Sequence, residues 1–313
     1  MEQVRVERDG RVMTVTLDNP PRNFMTSRMV RELNEVVSSL AGDGSIGSVV
    51  ITGAPDDTFI THFDVREILA GSEAAGQVPA AVAGGALRAV GALSHVPGAQ
   101  AGLERTPVAG MLELRRIHEL FLRMNRMDKV FIAAINGFAT GGGCELALAC
   151  DIRLMAKGDG RIGQPEILVG IIPGAGGTQR LSRILGPGPA LESMLEGTIY
   201  TPEEAEALGI VTHVVAADEL LPRALEIAER LARRSPAAVE GLKRAVYEGA
   251  SSSLRDGLHI ERAEFLASAS TPGARRAMEA YVEDVEELDG APLAHEELAT
   301  AWRDGTRVDV VSD

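Results

Sequence analysis

The stretch Ile135-Asn136-Gly137-Phe138-Ala139-Thr140-Gly141-Gly142-Gly143-Cys144-Glu145-Leu146-Ala147 decides how this chain is read. On its N-terminal side, Lys129 to Asn136 is a run of Val, Phe, Ile and Ala, the pattern of a strand buried on both faces. On its C-terminal side, Cys144 to Cys150 is built of small helix-forming residues, and Asp151 to Met155 returns to a strand. Strand, glycine-rich turn, helix and strand make an α/β order. Consecutive glycines let another group approach the backbone with no Cβ in the way. The first N–H groups of the following helix have no partners within it, and the helix dipole is positive there. Such a start stabilises a developing anion, for example a carbonyl oxygen becoming an enolate. Glu145 lies in that first turn. The same residues also fit a plain strand-to-helix turn in which Glu145 balances the dipole. They do not fit a dinucleotide fingerprint, which needs Gly-x-Gly-x-x-Gly, or a P-loop, which needs a closing Gly-Lys-Ser/Thr.

Working outward, Val12 to Asp18 reads as a strand ended by Asn19-Pro20-Pro21-Arg22-Asn23. A helix follows from about Thr26, with Met29, Val30, Leu33, Val36, Val37 and Leu40 at helical spacing. Ser48 to Thr52 is a short buried strand ended by Gly53. Residues 71–110 are rich in Ala, Gly, Val and Pro with little periodicity, and read as a mobile insertion or partly helical loop. Helical character returns from Leu112 to about Met127. Farther on, Arg161-Ile162-Gly163-Gln164-Pro165-Glu166-Ile167 sets Glu166 among apolar residues. Desolvation there raises a carboxyl pKa towards the range useful for acid/base work. A glutamate merely opening a helix after Pro165 is the other reading. Pro173 to Gly177 opens a helix over Thr178 to Leu185, and Thr201-Pro202-Glu203-Glu204 is a capping box with proline at the first helical position. The organisation expected is a core over 1–200 carrying the insertion, a helical region over 201–285 serving oligomerisation, and a peripheral acidic tail over 286–313.

The chain has 313 residues, enough for one large domain or one domain with an appendage. Aromatics are only 4% and the formal net charge is −14, which argues against a stacking, basic surface for nucleic acid. An anionic substrate would need local cations or helix N-termini. The two cysteines, Cys144 and Cys150, fall on different sides of one predicted helix and do not form a secreted disulfide framework. There is no apolar signal core near the N-terminus and no apolar run of about 18 residues, so a cytoplasmic protein without membrane association is expected.

The stretch from Ile135 to Ala147 resembles the signature of the enoyl-CoA hydratase/isomerase (crotonase) superfamily. Gly163-Gln164-Pro165-Glu166, followed by Gly170-Ile171-Ile172-Pro173-Gly174-Ala175-Gly176-Gly177-Thr178-Gln179-Arg180-Leu181, looks like that family's second block. Asn19 to Asn23 is similar to its first loop, and Phe59 to Asp64 falls where its first oxyanion loop lies. The resemblance runs from about Val4 to Tyr281. It implies a spiral of β-β-α units, thioester substrates carried on coenzyme A, no separate cofactor, and trimers or dimers of trimers. It also implies an oxyanion hole made by the N–H groups of Phe63 and Gly142. Members that hydrate a double bond use two glutamates, which match Glu145 and Glu166; members that only shift one often retain just the second. The expected reaction is therefore syn addition of water to a 2-enoyl-CoA. Alternatives are another crotonase-type isomerase, lyase or dehydratase on an unusual acyl group, or a non-catalytic scaffold.

Arg22, Thr61, His62, Asp64, Gly141, Pro173 and Gly174 are expected around the substrate. No metal is expected, because no second His or Cys lies at a ligand spacing. Three features depart from the family pattern. His62 and Phe63 stand where the first oxyanion loop usually has Gly and a small residue. His62 reads either as a polar group facing the acyl chain or as a loop residue without chemistry. The 71–110 connection is longer than usual. Tyr281 to Glu287 is acidic where a basic stretch commonly reaches the nucleotide end of CoA, and Arg22 and Arg66 are candidate replacements.

Overall fold

The computed structural model describes residues 1–54, 57–93, 109–288 and 290–311. Its larger sheet holds β1 (Val4–Asp9), β2 (Val12–Leu17), β3 (Ser48–Gly53), β5 (Val130–Ile135), β7 (Ile152–Ala156) and β10 (His213–Val215), hydrogen-bonded in that order. Only the β1–β2 pair is antiparallel. A smaller sheet holds β4 (Thr58–Ile60), β6 (Phe138–Thr140), β8 (Ile162–Gly163) and β9 (Ile199–Tyr200). Consecutive strands alternate between the sheets: β3 then β4, β5 then β6, β7 then β8. A helix follows each pair, so the chain winds as a spiral of β-β-α units. β1 was not anticipated; it is an edge strand in which Val4 is buried and Arg5 to Asp9 are exposed.

The parallel strands are buried because helices cover both faces of the larger sheet. Pleating sends Val49, Ile51, Phe131, Ala133 and Ile135 to one side, where α1 (Ser27–Ser39), α4 (Ala109–Arg126) and α5 (Gly142–Ala149) pack. It sends Val50, Val130, Ile132 and Ala134 to the other side, against Leu220, Ala224, Ile227 and Ala228 of α9 (Leu220–Leu231). Thr26 caps α1 by accepting from the Met29 amide.

Between β4 and α4 lie α2 (Val65–Ala75) and α3 (Ala80–Leu93), so the described flanks of the 71–110 segment are helical. Residues 94–108 lie outside the described residues. After α5 come a 3-10 turn (Glu166–Val169), α6 (Gly177–Leu185), α7 (Pro187–Glu196) and α8 (Pro202–Ala207), the last opened by the capping box on Thr201 and Glu204. Helices α10 (Pro236–Tyr247), α11 (Leu254–Ala269) and α12 (Pro272–Leu288) follow.

The acidic tail carries α13 (Glu296–Asp304), and the buried Asp284 of α12 accepts from the Trp302 indole at 2.8 Å and from Arg307 at 2.7 Å. Arg234 donates to the Trp302 carbonyl at 3.1 Å. Composition alone made this segment look peripheral; the pairing that anchors it joins residues far apart in the chain. Both cysteines are buried free thiols. Among the described residues no helix is long and apolar enough to cross a membrane.

Candidate active site

The spiral brings the two glycine-rich segments and the loop after β4 to one place. Gly141 ends β6 at φ +52°, a conformation that favours glycine, and α5 starts at the next residue. Glu145, in the first turn, is almost fully buried. Its Oε1 accepts from the Ala175 amide at 2.6 Å and the Gly177 amide at 2.8 Å, so the carboxyl sits on the N-terminus of α6. Burial pushes its pKa up to about 7; the Gly177 and Ala175 amides and the Arg180 charge pull it down, and the charge of Glu166 pushes it further up.

Glu166 opens the 3-10 turn, and its Oε1 lies 3.2 Å from where a Cβ on Gly141 would stand. Burial raises its pKa to about 7 as well. The buried Gln164 amide, with its nitrogen facing the carboxyl, donates to both Glu166 oxygens at 2.9 and 3.2 Å. Gly177 leaves room for it: a Cβ on Gly177 would come within 2.5 Å of the Gln164 side-chain amide. One glycine thus serves both acids, donating to Glu145 and making room for the partner of Glu166.

The third component is the pair of amides. Met25 and Phe63 form an isolated parallel bridge, in which the Met25 amide donates to the His62 carbonyl at 2.9 Å and the Asp64 amide to the Met25 carbonyl at 2.7 Å. This turns the Phe63 N–H to the opposite edge. The Phe63 nitrogen lies 3.4 Å from where a Cβ on Gly142 would be. Neither the Phe63 nor the Gly142 amide donates to an acceptor among the described residues. Two such N–H groups beside one buried and one half-buried carboxyl are suited to an oxyanion flanked by an acid/base pair.

The remaining expected residues divide. The Thr61 hydroxyl donates to the Arg22 carbonyl, and the Thr61 carbonyl accepts from the Thr140 amide at 3.2 Å, so Thr61 joins the first loop to β6. Asp64 caps α2, accepting from the Arg66 amide at 3.0 Å. Arg22 and Arg66 are both exposed, and the structure engages their backbones rather than their guanidinium groups. Pro173 is buried; the Gly174 carbonyl accepts from His118 Nε2 at 2.7 Å. The φ of His62 is not positive, since Asn23 is the non-glycine with positive φ among the described residues. A side chain at position 62 is therefore accommodated where glycine was expected for its freedom. Sequence reasoning did not assign Gln164, the Ala175 and Gly177 amides, or His118. The free helix start at Gly177 was a usable signal, but which group would fill it depends on a contact thirty residues away.

The chain is similar over most of its length to known proteins. The enoyl-CoA hydratase/isomerase family profile matches residues 108–287. The chain is 32% identical over 284 residues to the short-chain-enoyl-CoA hydratase of Clostridium acetobutylicum, covering 90% of this chain and 95% of that protein. It is 32% identical over 284 residues to the 2,3-dehydroadipyl-CoA hydratase of Escherichia coli, covering 90% and 96%. Its fold is similar to the crystal structure of an enoyl-CoA hydratase from Bacillus anthracis, with TM-score 0.72 and 27% identity over 90% of this chain and 96% of that one. With the spiral, the paired glutamates and the facing amides in place, the chain belongs to the enoyl-CoA hydratase/isomerase family.

Proposed function

We propose that this protein is an enoyl-CoA hydratase that adds water syn across the double bond of a 2-enoyl-CoA thioester. The observation that carries the proposal is the meeting, around Gly141 and Gly142, of the buried Glu145 and half-buried Glu166 carboxyls, both with pKa raised to about 7, and two amides without acceptors among the described residues. The thioester carbonyl accepts from Phe63 and Gly142, each donor lowering the barrier by about 3 kcal/mol as negative charge reaches the oxygen. Glu145 and Glu166 hold one water between them. The ionised carboxyl takes its proton as oxygen adds to the β-carbon, and the protonated one delivers a proton to the α-carbon of the enolate. Retention of both acids, each with dedicated donors, favours hydration over double-bond migration and over a silent scaffold. Gly141, Thr61, Asp64, Pro173 and Gly174 frame the site through their backbones, and Arg22 is the nearest cation of the first loop in sequence. The CoA moiety arrives with the substrate, and no other cofactor takes part.

Leu168 and Ile172 beside Glu166, with Leu191 and Leu195 of α7, are exposed apolar residues that support assembly into a trimer or a dimer of trimers. A cytoplasmic protein, without nucleic-acid or membrane partners, completes the proposal. Crotonyl-CoA hydration followed by absorbance tests the activity. Glu145→Gln and Glu166→Gln should each lose most turnover while acyl-CoA binding stays nearly intact; wild-type turnover in both would refute the assignment.

A further inference from the structure

His62 is the side chain by which this chain departs from the glycine usual beside the first oxyanion amide, and the structure engages it fully. Its ring stacks on Phe24, with centroids 4.6 Å apart and planes 27° from parallel. Its Nδ1 lies 2.7 Å from the carbonyl oxygen of Phe63. A carbonyl can only accept, so Nδ1 carries the hydrogen and donates it. The backbone on either side is tied too: the His62 carbonyl accepts from Met25, and the Thr61 amide donates to the Asn23 carbonyl at 3.3 Å. The imidazole therefore joins the loop at residues 22–25 to the loop at residues 61–64 from outside their backbone ladder.

We propose that His62 is a positioning residue for the oxyanion hole, its Nδ1–H clamping the Phe63 carbonyl so that the Phe63 amide is aimed beside that of Gly142. Fixing the carbonyl of a residue limits rotation about its backbone bonds, and an oxyanion donor is effective only when it is preorganised towards the developing charge. The glycine of the family pattern leaves this work to the backbone. Here a ring anchored on Phe24 adds a side-chain hold to the backbone bridge between Met25 and Phe63, while Nε2 has no part in the clamp. The kinetic arm of the test rests on the hydratase proposal; the spectroscopic arm does not.

Asparagine places its amide nitrogen about where histidine carries Nδ1, whereas glutamine reaches about as far as Nε2. His62→Ala and His62→Gln should lower kcat by about ten- to a hundred-fold with KM changed less than about threefold, the signature of a misaimed donor. His62→Asn should recover most of that loss. Independently of substrate, ¹⁵N imidazole shifts of the full-length free protein should show Nδ1 protonated. The Phe63 amide resonance should move in the Ala and Gln variants and stay near its wild-type position in the Asn variant. Recovery by Gln but not Asn would overturn the proposal in favour of direct substrate contact through Nε2. Unchanged kcat and an unmoved Phe63 amide in the Ala variant would overturn it outright, as would a neutral ring protonated at Nε2. If no enoyl-CoA is hydrated by the wild type, the functional proposal fails while the imidazole and amide shifts still decide this one.

Discussion

Replacing Glu145 with glutamine should make the protein more stable above neutrality while disabling it. The carboxyl has an ordinary pKa of 4.5 and a folded value pushed up to about 7 by burial. Between these values the folded chain holds a proton that the unfolded chain has released, so stability falls as pH rises through the interval. At about 1.4 kcal/mol per pH unit, the ionised carboxyl costs the fold about 3 kcal/mol once pH exceeds 7. The amides of Ala175 and Gly177 already offset part of the desolvation, which is why the cost is not larger. Glutamine keeps an acceptor oxygen for those amides and carries no charge. The stability of Glu145→Gln relative to wild type should therefore be near zero at about pH 4.5, rise through neutrality, and level off at about 3 kcal/mol above about pH 8. Urea unfolding at fixed protein concentration across that range reads the difference directly. A difference that stays flat with pH, or that falls as pH rises, would refute the burial argument for Glu145.

Turnover should follow a bell in pH centred near neutrality: below it both carboxyls are protonated and the base is lost, above it both are ionised and the acid is lost. A pH–kcat profile that is flat through neutrality would contradict this. Gly142→Pro removes one oxyanion N–H and should cost about two to three orders of magnitude in kcat with a much smaller change in acyl-CoA affinity, with circular dichroism as the folding control. Gly177→Ala places a Cβ 2.5 Å from the Gln164 side-chain amide and should displace Gln164 from Glu166, moving the pH profile as well as lowering kcat. Asp284→Ala should release α13 and red-shift the emission of Trp302, the single tryptophan of the chain, with turnover in the core unaffected.

Local pattern carried much of the architecture. The buried strands over 48–53 and 130–135, the helix capped by Thr26, the glycine-rich start of α5 and the capping box at Thr201 were all legible, because each depends on residues within a few positions of one another. The sequence by itself also marked Glu145 and Glu166 as the acids to examine and Phe63 and Gly142 as candidate donors, through the stretches that carry the family resemblance. Tertiary structure alone decided the rest. That Glu145 rests on the amides of Ala175 and Gly177, that Gln164 serves Glu166, that His62 stacks on Phe24 and grips Phe63, and that Asp284 holds down an acidic tail are all contacts between chain segments whose approach no local pattern encodes. The environment that brings both carboxyls to about 7 has the same origin, since desolvation is a property of what the whole fold packs around a group.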